Sequence, residues 1–340
     1  MTKTLNRPPA STPAPQTDLT TSGGGVWGDR VFAAVCVAAG ALVLAILALI
    51  LVTTTQQSWA ALRDSGLSFV TSPRWVANDP DGDGPLGPRF GALALIYGTA
   101  IVSLIALVIA VPISIGIALF ITELAPRRLR GLSVTVIDLL AAVPSVVFGL
   151  WGILVVAPAI VPVYQWIHDL VDGIPVLDTV FGVPVSSGRG YMTAGLIVAI
   201  MIIPIITSIA REVFATVPEA DKHAALALGA TRWEMIRGAV FPHSFGGLVG
   251  AVMLGLGRAM GETIAVALTI GAAIQITGNV FQAGEALPSI IVRQWGESAG
   301  QHRAALIGLG VVLFALTILI NLLARIVVRH AEARMKGAAR

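Results

Sequence analysis

From Val31 to Val52 the chain runs without a single charged side chain. A bilayer core takes about 20 apolar residues per helix, so this run is long enough to cross one. It is longer than a signal-peptide core and begins well inside the chain, which makes it a retained first span rather than a cleaved leader. Comparable runs recur at Ala92–Ile121, from near Leu132 through DLLAAVPSVVFGLWG, from about 190 to Ala210, at Phe245–Ile276 and at Ala304–Val328. Pro112 is expected to kink the second span, which neighbouring helices can tolerate, Pro144 to break the helix of the third, and Pro204 falls inside the fourth. Of 340 residues, 56% are hydrophobic and 12% charged, with a mean hydropathy of +0.85. That leaves too little polar surface for a soluble domain of this size. The expected fold is an all-α membrane protein with six transmembrane helices.

The segments follow from that frame. Residues 1–30, rich in Pro, Thr, Ser and Gly, are expected to form a flexible tail, 31–52 the first transmembrane helix and 53–90 a polar loop. Residues 91–330 form the core and 331–340 a second tail. Asp79, Asp81 and Asp83 are spaced like part of a calcium loop, but Pro85 and the missing distal Glu make a solvated turn the better reading. Most of the 22 lysines and arginines fall in the tails, in 123–131 and in 211–243. By the positive-inside rule those segments and both termini are cytoplasmic, and 53–90 is extracytoplasmic. The net charge of +3 is thus explained by topology, without a nucleic-acid patch.

Several chemistries are excluded. The single cysteine, Cys36, allows no intrachain disulfide and reads as a small core residue. The five histidines have no ligand spacing, so no metal site is expected. None of the three lysines lies in a G-x-x-x-x-G-K-[ST] loop, so the chain needs no cofactor of its own and any ATP is bound by another subunit.

Between the fourth and fifth spans, 216–242 reads as ordered helix rather than loop. Thr216 with Glu219 and Thr231 with Glu234 have the capping-box spacing. Gly229 stands between them, where a left-handed residue can end the first helix, and Pro242 is expected to end the second. In the fifth span Arg258 and Glu262 stand one turn apart. A charge at the bilayer centre costs at least about 2.5–3.5 kcal/mol, so both must face protein or water. They either neutralise each other and fix helix register, or line a polar path on which Arg258 binds an oxyanion. Gly257 and Gly261, a G-x-x-x-G pair, together with Gly255, predict close packing of a second helix.

The residues A-A-L-A-L-G-A-T-R-W-x-x-I (224–236) with Pro242 resemble the EAA loop of bacterial ABC-importer permeases. They depart from it at His223, where that family usually has Glu, and at Ala239 and Phe241, where it favours Ile and Leu. The resemblance implies a cytoplasmic helix-turn-helix coupling loop within 211–243 that docks into an ATPase, with Glu219, His223, Ala224, Ala225, Gly229, Thr231 and Pro242 at the contact. The strings G-L-G-R-A-M-G-E-T (255–263) and P-S-V-V-F-G (144–149) resemble the PstC-type permease subunit of the bacterial phosphate ABC importer, over roughly residues 90–330. That resemblance implies a type I importer permease fold in the bacterial inner membrane. It also implies a substrate path through Arg258, Glu262, Thr263 and Ser145. The implied partners are a second, PstA-like permease, two copies of a PstB-like ATPase and an extracytoplasmic, PstS-like phosphate-binding protein. Sulfate or molybdate would satisfy the same residue chemistry. An ion-coupled carrier with Glu262 titrating is the chief rival, and an ordered cytoplasmic helix pair argues against it. No intramembrane Ser–His or paired Asp constellation supports a membrane enzyme.

Overall fold

The computed structural model describes residues 25–76 and 89–338. Most of the expected N-terminal tail and the Asp79–Asp83 stretch lie outside the described residues. The chain divides into two units, 1–53 and 54–340. Helix α1 (Gly25–Ser65) supplies the described part of the first unit, and there it exposes apolar side chains such as Phe32, Leu42 and Leu49. A helix apolar on every side suits a lipid surround. The expected loop at 53 does not begin there. The segment after Val52 holds no Gly or Pro until Gly66, whose φ of 53° is left-handed and ends the helix.

The second unit continues with α2 (Ser68–Thr71) and a two-residue antiparallel ladder, Trp75↔Phe90 and Val76↔Arg89. Then follow α3 (Leu93–Leu119), α4 (Arg127–Ala141), α5 (Ser145–Trp151), α6 (Ala157–Val171) and α7 (Leu177–Val180). Next are α8 (Tyr191–Ala215), α9 (Glu219–Ala227), α10 (Arg232–Met235), α11 (Phe241–Met260), α12 (Ile264–Thr269), α13 (Leu287–Gln294) and α14 (Gly300–Ala338). Among the described residues six helical stretches are long and apolar enough to cross a membrane.

The core is built from small side chains. Ala106, Ala110, Ala194, Ala199 and Ala251 are all fully buried beside Val102, Val198, Ile202 and Ile206. Small residues let α3, α8 and α11 approach closely, which is how helices gain contact where lipid offers no hydrophobic incentive. Gly255 of α11 packs on Ile206 of α8. The two glycines of the G-x-x-x-G pair do not share that role: Gly257 faces open space and Gly261 caps the end of α11.

Two expected spans are drawn differently. The third begins at Ser145 rather than near Leu132, because the chain breaks at 142–144 and α4 is a separate helix carrying Arg128, Arg130 and Asp138. The fifth stops at Met260 instead of running to Ile276. Beyond α12, residues 271–286 are largely irregular, partly exposed over 271–280 and mostly buried only from Phe281 to Ala286. Tyr97 and Tyr191 hold them through hydroxyl hydrogen bonds to the carbonyls of Thr277 and Gln275. Fully buried Glu285 accepts from the Ala286 N–H and the Ser289 hydroxyl, and its carboxylate forms an ion pair with Arg293.

Among the described residues three turns of π-helix interrupt the bundle, at Phe120–Leu124, Gly152–Val156 and Ile236–Val240. The last joins α10 to α11 without a break. Pro242 therefore does not end the second helix of the pair. It sits just after the wide π-turn in the helix that continues as α11, with the Phe241 N–H reaching Ile236 O five residues back.

Candidate functional site: a half-open arginine in an intramembrane groove

Arg258 lies in the last turn of α11, and Glu262 just beyond the Gly261 cap. They are therefore not two positions on one continuous helix face. The Glu262 carboxylate is buried and accepts the Ala265 N–H at 3.3 Å, which satisfies a free donor at the start of α12. Arg258 Nη2 stands 3.9 Å from Glu262 Oε2, beyond hydrogen-bond range, with the arginine side chain 50% exposed and the glutamate 6%. Glu262 thus has a backbone partner, and among the described residues no hydrogen bond takes up the Arg258 donors.

Those donors open into a groove of about 920 Å³ between α8, α11 and α14. Val249, Met253 and Leu254 form apolar wall, and Asn321 and Arg325 bring polar groups from α14. Sequence reasoning did not single out Asn321 and Arg325. Their i,i+4 spacing late in the sixth apolar run was the available signal, since polar groups so placed share a helix face. Thr263 is half-buried beside the pair, its hydroxyl donating to Gly261 O. Ser145 opens α5, which packs on α12 where Gly149 meets Ala265 and Leu268. The motif string 144–149 therefore packs against α12, the helix that follows 255–263 in the chain.

The helix pair stands apart from this groove. Gly229, at φ 86°, closes α9 in a Schellman arrangement: its N–H reaches Leu226 O at 3.0 Å, and the Ala230 N–H reaches Ala225 O at 3.2 Å. Thr231 opens α10 with a complete capping box to Glu234. The box expected at Thr216 is not formed. Thr216 is the C-cap of α8 and its hydroxyl donates to Val213 O, while Pro218 precedes α9 without a side-chain cap. Glu219, His223, Ala224, Gly229 and Thr231 are exposed, Ala225 is half-buried, and exposed Pro242 belongs to α11 instead. Met235, Ile236 and Val240 anchor the pair in a core with Ala118, Phe214 and Leu248. Leu226, Leu228 and Trp233, not singled out from sequence, stand out from the surface around the turn.

Residues 110–337 match the family of binding-protein-dependent transport system inner membrane components. The chain is 42% identical over 308 residues to the phosphate transport system permease protein PstC of Mesorhizobium japonicum, covering 90% of this chain and 91% of that one. The chain belongs to the PstC family. It is also 40% identical to the PstC of Haemophilus influenzae over 90% of this chain and 95% of that one, and 41% identical to that of Xylella fastidiosa over 78% and 80%. This PstC-family chain is a multi-pass inner-membrane permease subunit, and its groove and helix pair lie within the matched region.

Proposed function

We propose that this chain forms half of the translocation path of an ATP-driven phosphate importer, with Arg258 presenting hydrogen-bond donors to the anion in transit. The observation that carries this reading is the half-exposed guanidinium of Arg258 in a groove that also holds Arg325, while Glu262 is occupied by a backbone N–H. A planar guanidinium can meet a phosphate oxygen pair through two parallel hydrogen bonds. Glu262 beside it keeps the unloaded site from being a bare cation; Thr263 and Ser145 are not among the residues that line this groove. ATP hydrolysis belongs to a separate chain.

In this reading both termini and the helix pair are cytoplasmic, as the distribution of basic residues favours. Two ATPase copies grip the coupling loops of this chain and of a second permease. Here they would meet Glu219, His223, Ala224, Ala225 and Thr231, together with the exposed apolar group Leu226, Leu228 and Trp233. A phosphate-binding protein delivers substrate from outside. Closure of the ATPase dimer then biases the permease between outward- and inward-facing states, each of which exists without substrate.

The deciding experiment reconstitutes the chain with its three partner subunits in proteoliposomes and measures ATP hydrolysis and uptake of labelled phosphate. Stimulation by phosphate-loaded binding protein, with no competition from sulfate or molybdate, is the expected result. Transport of sulfate or molybdate in preference to phosphate would reassign the substrate, and uptake driven by an ion gradient without ATP would overturn the reading.

A further inference from the structure

Lys222 is the buried residue of α9, with only 8% of its side chain exposed. Its Nζ donates to Glu123 Oε1 at 2.8 Å, and the Glu123 side chain is itself 9% exposed. Glu219 offers a second carboxylate at 3.2 Å but is 72% exposed, so its pull is screened by solvent. Burial pushes the Lys222 ammonium down from its ordinary value, but the hydrogen bonds and charges of Glu123 and Glu219 outweigh that and raise it. Lys222 therefore stays charged, and its contact with Glu123 is a charge-assisted hydrogen bond with little water around it.

Glu123 belongs to the π-turn that ends α3, and α4 holds that turn from another direction. Arg130 donates from Nε to Ile121 O at 2.8 Å and from Nη2 to Thr122 O at 2.5 Å. Two cavities, of about 380 and 180 Å³, flank the pair and include Arg130, Arg211 and Glu212 on one side and His223 and Arg232 on the other. Ala225 gives α9 a share in the apolar core, but a methyl group slides where an ion pair resists. Beyond the turn, α3 packs along α8 and against α11, the helix that carries Arg258.

We infer that the Lys222–Glu123 ion pair is a positioning link that passes displacement of α9 into α3 and so to the groove. The inference rests on the reading of the helix pair as the ATPase contact, and adds to it the route by which motion leaves that contact. Lys222 touches neither nucleotide nor phosphate; it acts through Glu123. The π-turn, a local departure from regular winding, is where the end of α3 can shift while the rest of the helix keeps its form.

The test uses the full four-component complex in proteoliposomes. Glu123→Gln and Lys222→Met should each keep the ATPase at its normal ratio and hydrolyse ATP at the basal rate. Uptake and binding-protein-stimulated hydrolysis should fall by about tenfold or more, in the range usual for coupling between distant sites. Lys222→Arg keeps charge and reach and should restore uptake to within about threefold, a recovery governed by how well the guanidinium fits the ammonium's place. Breaking one partner of a buried pair can destabilise a protein more than removing both. If a single variant fails to assemble, the double variant Glu123→Gln with Lys222→Met decides: assembled but uncoupled supports the link, and normal uptake overturns it. Loss of the ATPase from otherwise assembled single variants would also overturn it, since the pair would then serve docking. If the unaltered chain fails to bind the ATPase, the underlying reading fails instead.

Discussion

Glu262 is a residue whose role the linear sequence misplaces. Read on a continuous helix it is the i+4 partner of Arg258, yet the helix has ended and its carboxylate satisfies the Ala265 N–H. Glu262→Gln keeps an oxygen acceptor for that N–H and removes the charge, so the chain should assemble normally while phosphate uptake falls. Glu262→Ala leaves a buried donor unpaired, at a cost of about 1–3 kcal/mol, and should also lower thermal stability in detergent. Equal stability of the two variants would refute the capping role. Exchanging the charges, Arg258→Glu with Glu262→Arg, places at 262 a side chain that cannot accept a hydrogen bond, and the exchanged chain should remain inactive. Near-normal uptake by that chain would reduce Arg258 to a structural residue. Lys222 adds a pH dependence. A lysine whose folded value is raised stabilises fully below its ordinary value of 10.5 and loses that contribution as pH rises through the raised one. The thermal-stability gap between the unaltered chain and Lys222→Met should therefore be flat from neutral pH to about 10, and close at higher pH.

At the scale of elements, legibility depended on whether the signal was local. The Thr231–Glu234 box and the Gly229 turn are written in residues that contact one another, and both formed as expected. Thr216 and Glu219 carry the same spacing, but α8 runs on through Ala215 and takes the Thr216 hydroxyl for its own last turn. Distant packing decided that competition. The third span was legible in part: Pro144 marked the break that separates α4 from α5, but Leu132–Ala141 and Ser145–Trp151 are both apolar on average, so the start of the span was not readable. Gly229 gives a direct test, because a Cβ there would meet open space and the strain of substitution is purely that of the backbone. Gly229→Val should cost about 1–2 kcal/mol locally, because a β-branched residue resists the left-handed region, and should lower uptake with membrane insertion intact. Gly229→Asn should be tolerated, since Asn is the usual second choice at such caps. Equal uptake rates for the Val and Asn variants would show that the turn geometry is dispensable.

Over the whole molecule, six apolar runs and their basic flanks sufficed for the membrane fold, because hydrophobic length is a local property. The groove was not readable, since it is assembled from α8, α11 and α14, whose lining residues are spread from Ile205 to Arg325. The orientation has its own check. In a Cys36→Ser chain, a cysteine replacing exposed Ser186 should react with an impermeant thiol reagent applied outside, and one replacing Arg232 should not; the reverse pattern would invert the topology. The π-turn at Ile236–Val240 fixes a further whole-molecule quantity, the angular phase between the helix pair and the fifth span. Each residue of an α-helix advances the winding by about 100° and the axis by 1.5 Å. Deleting Gly238, whose missing side chain leaves nothing to repack, removes the one residue that the wide turn absorbs and should restore regular winding with the Leu228–Trp233 surface near its present angle. Deleting Gly238 and Ala239 together should swing that surface by about 100° around α11, and loss of the ATPase on co-purification of the doubly shortened chain, with retention by the singly shortened one, is the expected result. A turn that holds one surplus residue thus preserves the alignment between the helix pair and the groove instead of resetting it.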